Sequence, residues 1–335
     1  MLQASGLSVV ILLAVSAGAS AQSAPSVAEA RSLMTQGRIQ EAERELDALA
    51  RLTPEPSGVE RLRGILSYEN NHLAEADAAF AKAIAQDSSD LDSLQMRGVV
   101  LYRMGRPAEA IPLLEKSHSR GSIANADPHY VLGLCYLATK RYDEARHAFA
   151  AQYGFAPDSA AAWLVTARMM FRQEMAAAAA AAAQKAVQLD GRLPLAHRLL
   201  GEIDLGSGDM PGAIAAFEQE LAINPLDGES YDRLGDAYVR SGRYAEAQQV
   251  LDRAVLLEPN ASGPYILLGK ALLEQEEPAM AAMYLERAAQ MDPSNSMTHM
   301  LLARAFTAVG RKDEASREFA ILQKLHQDAR PASAP

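Results

Sequence analysis

The chain has 335 residues, 49% of them hydrophobic, 22% charged and only 6% aromatic, with a net charge of −10. This is the composition of a folded, soluble protein, and its acidic balance offers no net cationic field to displace counterions from phosphates, so nucleic acid is not expected as a partner. One cysteine, Cys135, excludes an internal disulfide and a thiolate metal cluster.

The chain opens on an apolar stretch, Leu7 to Ala17, followed by Gly18-Ala19-Ser20-Ala21, and the first charged side chain is Glu29. Ala19-Ser20-Ala21 fits the small-x-small cleavage pattern of a secretory signal, although no Lys or Arg precedes the apolar core. The expectation is a signal peptide over 1–21, a mature start at Gln22, and a periplasmic or secreted protein. The apolar core is too short for a comfortable membrane span, so no transmembrane segment is expected in the mature chain. No cysteine follows the leader to take a lipid.

From Ser23 onward the sequence repeats itself. Gly228 to Ala261 reads GESYDRLGDAYVRSGRYAEAQQVLDRAVLLEPNA, two amphipathic helices around Ser241-Gly242-Arg243. The layout returns in steps of 34, with one extra residue before Ala126, giving nine units starting at 23, 57, 91, 126, 160, 194, 228, 262 and 296. The eighth place is always small: Ala30, Gly64, Gly98, Gly133, Ala167, Gly201, Gly235, Gly269 and Ala303. The twentieth place is alanine in every unit, from Ala42 to Ala315. Four places later comes a filler, such as Leu46, Phe80, Phe217 or Leu251, replaced by Ala183 in the fifth unit. Small residues recurring in this way mark helix pairs that cross closely, since bulk there would push the axes apart. Pro107, Pro128, Pro211, Pro264 and Pro278 fall in first helical turns, where a missing N–H costs little, while Pro112 lies deeper and predicts a mild kink. The run Ala176 to Ala183 fits a second helix but removes bulk from the fifth unit, predicting a thinner, less stable junction there. The array is expected over 23–327, with a disordered tail over 328–335.

These units resemble the tetratricopeptide repeat. The resemblance is carried best by Tyr231, Leu234-Gly235, Tyr238, Ala247, Leu251 and the closing Pro259, with Trp163 holding the bulky first place of the fifth unit. Ser88, Ser122, Gly191 and Gln327 stand where other units close with proline. The near-constant step of 34 disfavours the slightly longer Sel1-like repeat. The resemblance implies an all-α, right-handed α-solenoid superhelix of nine helix-turn-helix repeats, whose first helices line a concave face that binds protein or peptide ligands.

No catalytic or metal constellation accompanies the repeat. None of the seven histidines forms a metal pair at helical spacing with an intervening acid, and neither a phosphate-binding glycine loop nor a nucleophile elbow is present. His129, His197 and His299 occupy the bulky first column and are read as helix fillers; Cys135 is read as a small buried hydrophobe. Neither enzymatic activity nor a cofactor or metal is therefore expected. The places that the family turns toward its ligands supply an apolar and aromatic strip with arginines in units two to six. The candidate partner-binding residues are Tyr68, Tyr102, Arg103, Tyr130, Arg168, Phe171, Arg172 and Arg198, accompanied by Ile65, Val99, Leu134, Leu137 and Leu164. Unit seven reverses the charge with Glu229, Asp232 and Asp236. The ninth places carry no asparagine, so the family's clamp for acidic chaperone tails is not expected. The leading expectation is an exported scaffold for a protein or peptide in envelope assembly, secretion or polymer export. The alternative is a binder of a non-protein polymer such as glycan.

Overall fold

The computed structural model describes residues 25–118 and 128–328. The expected leader, its cleavage point before Gln22, and residues 329–335 of the expected tail lie outside the described residues. Eighteen α-helices and no strand are found among those described. The chain forms two compact units, residues 1–123 and 124–335. In the first, α1 (Val27–Thr35) pairs with α2 (Ile39–Ala50), α3 (Val59–Glu69) with α4 (Leu73–Gln86), and α5 (Leu91–Arg103) with α6 (Pro107–His118). In the second, α7 (Pro128–Ala138) pairs with α8 (Tyr142–Tyr153), α9 (Ala160–Arg172) with α10 (Ala176–Leu189), and α11 (Ala196–Ser207) with α12 (Met210–Ile223). The same unit continues with α13 (Gly228–Arg240) on α14 (Tyr244–Leu257), α15 (Ser262–Glu274) on α16 (Pro278–Met291), and α17 (Ser296–Ala308) on α18 (Lys312–Asp328). Within each compact unit, second helices also pack on the first helix of the next pair, the nearest-neighbour economy of a solenoid. Helix α18 includes Asp328, and Pro112 lies inside α6.

The turn inside each pair has one backbone signature. Gly37, Asn71, Gly105, Lys140, Glu174, Gly208, Gly242, Glu276 and Gly310 all have positive φ, between 59° and 86°. Their spacing is the sequence step, 34 residues with a single 35. Glycine reaches this left-handed region at no steric cost, whereas Lys140, Glu174 and Glu276 adopt it under strain. The residue that follows is often arginine, ion-paired to a glutamate three places on: Arg38 with Glu41, Arg106 with Glu109, Arg141 with Glu144, Arg243 with Glu246 and Arg311 with Glu314. Three of these guanidinium groups also lie over an aromatic ring of the first helix, Arg141 on Tyr136, Arg243 on Tyr238 and Arg311 on Phe306, at 4.2–4.6 Å.

The small eighth column has a specific reason. A Cβ on Gly64, Gly98, Gly133, Gly201, Gly235 or Gly269 would lie 2.4–2.7 Å from the side chain of Phe80, Leu114, Phe149, Phe217, Leu251 or Leu285 respectively. Each of those partners is the filler of the same pair's second helix and is fully buried. The glycines therefore admit the filler, and only indirectly the neighbouring helix. In the fifth pair the arrangement is Ala167 against Ala183, both at 0% exposure. That pair lies inside the second compact unit, and the division of the chain falls between 123 and 124, close to the extra residue before Ala126.

Candidate functional site

The expected partner-binding residues divide between the two compact units, and each set has its own surroundings. In the first unit, Tyr68 and Arg103 come together: the Arg103 guanidinium sits 4.9 Å from the Tyr68 ring centroid and donates to Asn71 Oδ1 at 2.7 Å. Asn71 is the left-handed residue of its turn, so the contact joins the ends of α3 and α5. Tyr102 is half-buried on α5. In the second unit Tyr130 is half-buried, its ring edge-on to Phe149 at 6.1 Å. Phe171 is half-buried and Arg172 exposed at the end of α9. The apolar companions differ from expectation: Val99, Leu134 and Leu137 are 8%, 9% and 1% exposed, because they are drawn into packing between helices instead of lining an open strip.

Arg168 and Arg198 belong to a charge ladder across three first helices. Arg168 Nη1 pairs with Glu202 Oε2 at 2.8 Å, and Arg198 reaches Glu202 at 3.5 Å, Asp227 at 3.1 Å and Glu229 at 2.9 Å. Asp227 also accepts from Ser230 Oγ at 2.6 Å. The first compact unit builds the same device in the same register. Arg61 pairs with Asp90 at 3.1 Å and Asp92 at 3.6 Å, while Ser93 Oγ donates to Asp90 at 2.7 Å. An arginine in the fifth place thus clamps the cap and first turn of the next first helix. Arg198 performs this inter-repeat work, a role that a reading of sequence columns for surface alone passes over.

The next place of that column in the ladder is occupied by Asp232. Opposite it stands Gly263, whose Cβ position would lie 3.7 Å from the Asp232 carboxylate oxygens. Asp232 Oδ1 is buried and has no hydrogen-bond partner among the described residues. Burial pushes this carboxyl up to about 6; Arg233 opposes the rise, and Asp236, Glu258 and Glu229 add to it. The charge reversal read from unit seven therefore includes a carboxylate for which the fold supplies no counter-ion contact.

The side chains of the bulky first column, at the fourth place of each repeat, mostly serve the closing turns. His197 Nε2 lies 3.2 Å from the Gly191 carbonyl, Tyr265 donates to the Pro259 carbonyl at 3.4 Å, and His299 contacts the Pro293 carbonyl at 2.9 Å and Glu318 at 2.6 Å. Trp163 stacks under Arg146 at 4.4 Å, and Arg146 reaches the Pro157 carbonyl and Asp158. Cys135 is buried, which pushes its thiol up to about 12 and away from thiolate chemistry. Among the described residues no group of three or more His, Cys, Asp or Glu is placed to hold a metal ion, and no helix is long and apolar enough to cross a membrane.

Helix pairs in a fixed register, packed on their neighbours within each compact unit, define a helical repeat protein. Family models described as tetratricopeptide repeat match residues 27–90, 204–270 and 272–334, and a model described as anaphase-promoting complex, cyclosome, subunit 3 matches residues 69–152. The chain is a tetratricopeptide-repeat protein. Superkiller protein 3 of Schizosaccharomyces pombe is 41% identical over 51 residues, covering 15% of this chain and 4% of that protein. The crystal structure of YrrB, described as a tetratricopeptide-repeat protein with an unusual peptide-binding site, aligns with TM-score 0.50 at 18% identity over 56% of this chain and 95% of YrrB, a likeness of fold. MamA from Desulfovibrio magneticus RS-1 aligns with TM-score 0.49 at 20% identity over 52% of this chain and 98% of MamA.

Proposed function

We propose that this chain is an exported scaffold that holds a partner protein or peptide against the first-helix faces of its repeats, in envelope assembly, secretion or polymer export. The tetratricopeptide fold supports protein–protein interaction in general. What carries the narrower reading is the contrast along one column of first helices: Arg61 and Arg198 pair with acids of the next repeat, whereas half-buried Asp232 has no ion pair and has one buried oxygen without a hydrogen-bond partner. A structural role gives a carboxylate its counter-ion; an unmet one is costly unless something else meets it. A basic group of the partner would do so. Phe171 and Arg172 on α9 supply the kind of aromatic and guanidinium anchors that dominate interfaces, and Tyr68, Tyr102, Arg103 and Tyr130 are carried forward as further contacts. The leader supports export, and a mature protein beginning at Gln22 is the form proposed to act. YrrB's described peptide-binding site agrees with a peptide ligand, though only the fold is shared. No observation favours glycan, since the sole tryptophan is engaged by Arg146.

The test is capture of the partner from a native extract by the mature chain, followed by titration against variants. Asp232→Asn, and Phe171→Ala with Arg172→Ala, should each weaken binding with helical content unchanged. Full affinity in both variants would move the binding surface elsewhere and refute the assignment.

A further inference from the structure

The first compact unit contains a cleft of about 440 Å³ between α2, α3 and α4, on a different side of α3 from the residues considered above. Its origin is visible in the repeat. The fourth place of a repeat carries a ring in Trp163, His197, Tyr231, Tyr265 and His299, and in Tyr265 and His299 that ring bridges its own second helix and the preceding closing turn. Tyr265, for instance, lies 6.2 Å from the ring of Tyr284 on α16, and His299 contacts Glu318 on α18. In the second repeat, within the first compact unit, the fourth place is Glu60, and the place answering Tyr284 and Glu318 is Ala79. Both fillers are missing, and the cleft occupies the space.

Glu60 is 3% exposed, yet no described residue donates a hydrogen bond to it. Its nearest cations are Arg63 Nη1 at 3.6 Å and Lys82 Nζ at 3.7 Å, both beyond hydrogen-bonding distance. Arg63 is committed instead to Asp47 at 2.5 Å, and the Lys82 side chain is 68% exposed. Around the cleft, the carboxylates Glu43, Asp47, Glu60 and Glu75 face only two cations, Arg63 and Lys82, so the lining is net acidic. Leu46 and Leu66 give it an apolar wall. Both ion pairs are long, so the Glu60 carboxylate, at the wall of an open cleft, has room for a closer donor.

We infer that this cleft is a binding site for an alkyl cation, an ammonium or guanidinium on an aliphatic stem, which donates to Glu60 while the stem lies along Leu46 and Leu66. Two sources share that chemistry: a lysine or arginine side chain of a peptide, and a free aliphatic amine. The site is independent of the first-helix reading above, because Glu60 and Asp232 lie in different compact units.

The test uses the full chain and two probes, a fluorescein-labelled pentapeptide with one central lysine among glycines, and putrescine followed by calorimetry. Saturable binding is expected for at least one probe, weakened roughly tenfold by Glu60→Gln, as loss of a charge-assisted hydrogen bond implies. Glu60→Tyr, which restores the ring found at Tyr231 and Tyr265, should abolish binding while the helices remain intact by circular dichroism. Glu109→Gln, an exposed glutamate of the same compact unit paired with Arg106, should bind as the parent does. Peptide binding assigns the cleft to a side chain, and putrescine binding alone assigns it to a free amine. Absence of saturable binding for both probes, or equal binding by Glu60→Gln and the parent chain, would overturn the inference.

Discussion

Gly235→Ala tests why the eighth column is small. A Cβ at Gly235 would lie 2.4 Å from Leu251 Cδ2 and 2.5 Å from its Cγ, against an ordinary carbon contact of roughly 3.5–4 Å. Leu251 is fully buried, so it moves only by displacing other core atoms. Overpacking of this kind costs about 1–3 kcal/mol. Alanine returns about 0.5–1 kcal/mol through its better helix propensity, which leaves a net loss of up to about 2.5 kcal/mol. Leu251→Ala alone removes the filler and should cost about 2–5 kcal/mol. The double variant reproduces the Ala167 and Ala183 pairing of the fifth repeat, and there the new methyl occupies vacated space. Its loss should fall short of the sum of the singles by about 1–2 kcal/mol, the signature of side chains in contact. Because arrays depart from two-state unfolding, urea midpoints are best read beside amide exchange resolved to α13 and α14. A Gly235→Ala variant at least as stable as the parent, or strictly additive losses, would refute the account and leave the glycines as a helix-crossing feature alone.

Lys140→Gly, Glu174→Gly and Glu276→Gly should each gain up to about 1 kcal/mol in urea denaturation, since the strain of a left-handed residue exceeds the entropy glycine costs; a loss at all three positions would contradict this. Asp232→Asn should raise stability at pH 7 and flatten its pH dependence. The native carboxyl titrates at about 6 against an ordinary 3.8, so native chain holds the proton more tightly and stability falls as pH rises from about 4 through about 6, by at most about 3 kcal/mol before solvent relaxation. Arg198→Met should cost about 2–4 kcal/mol by leaving Asp227 unopposed, whereas Arg172→Ala, at an exposed site, should stay within about 0.5 kcal/mol; similar losses for both would dissolve the distinction between clamp and contact. Amide exchange should be faster across 176–186 than across 231–255, because α10 buries only the alanine side chains Ala179, Ala182, Ala183 and Ala186; equal protection would show that close helix approach compensates. Amino-terminal sequencing of native protein should begin at Gln22, and retention of Met1 would exclude cleavage.

The repeat was legible because it rests on residues whose physical demands are local and recur. A turn that needs positive φ draws glycine, and a second helix that carries Phe80 or Leu251 needs a hydrogen at the position opposite. Each demand leaves a column that survives without coordinates. The candidate site was legible only in part, because the fifth and ninth places name a face and do not say what their side chains touch. Arg198 reads as a free cation until Asp227 and Glu229, about one repeat away in sequence, are found beside it. Leu137 reads as a surface apolar residue until packing buries it. Glu60 is hard to see for the opposite reason: its column holds rings elsewhere, and the signal lies in the departure from them.

That difference supplies a general test within a repeat protein, where neighbouring units serve as internal controls for one another. The fifth column shows it most directly. Arg61 and Arg198 meet the same partners in the same register, an aspartate cap that also accepts from a serine hydroxyl, and an acid two places into the next unit. Recurrence in two separate compact units makes this clamp part of what joins one pair to the next. Asp232 occupies the column with the opposite charge, and neither Ala261 nor Gly263 in the answering places can meet it. A drifted structural clamp would have lost its charge along with its partners. Asp232 keeps a carboxyl with one oxygen buried and unpartnered, at an energetic cost the array does not recover internally. Glu60 departs from the fourth column in its own way, a carboxylate in place of a ring, held only by long ion pairs to Arg63 and Lys82. In both cases the departure from the repeat, and not the repeat itself, marks the side chain left for something outside the fold.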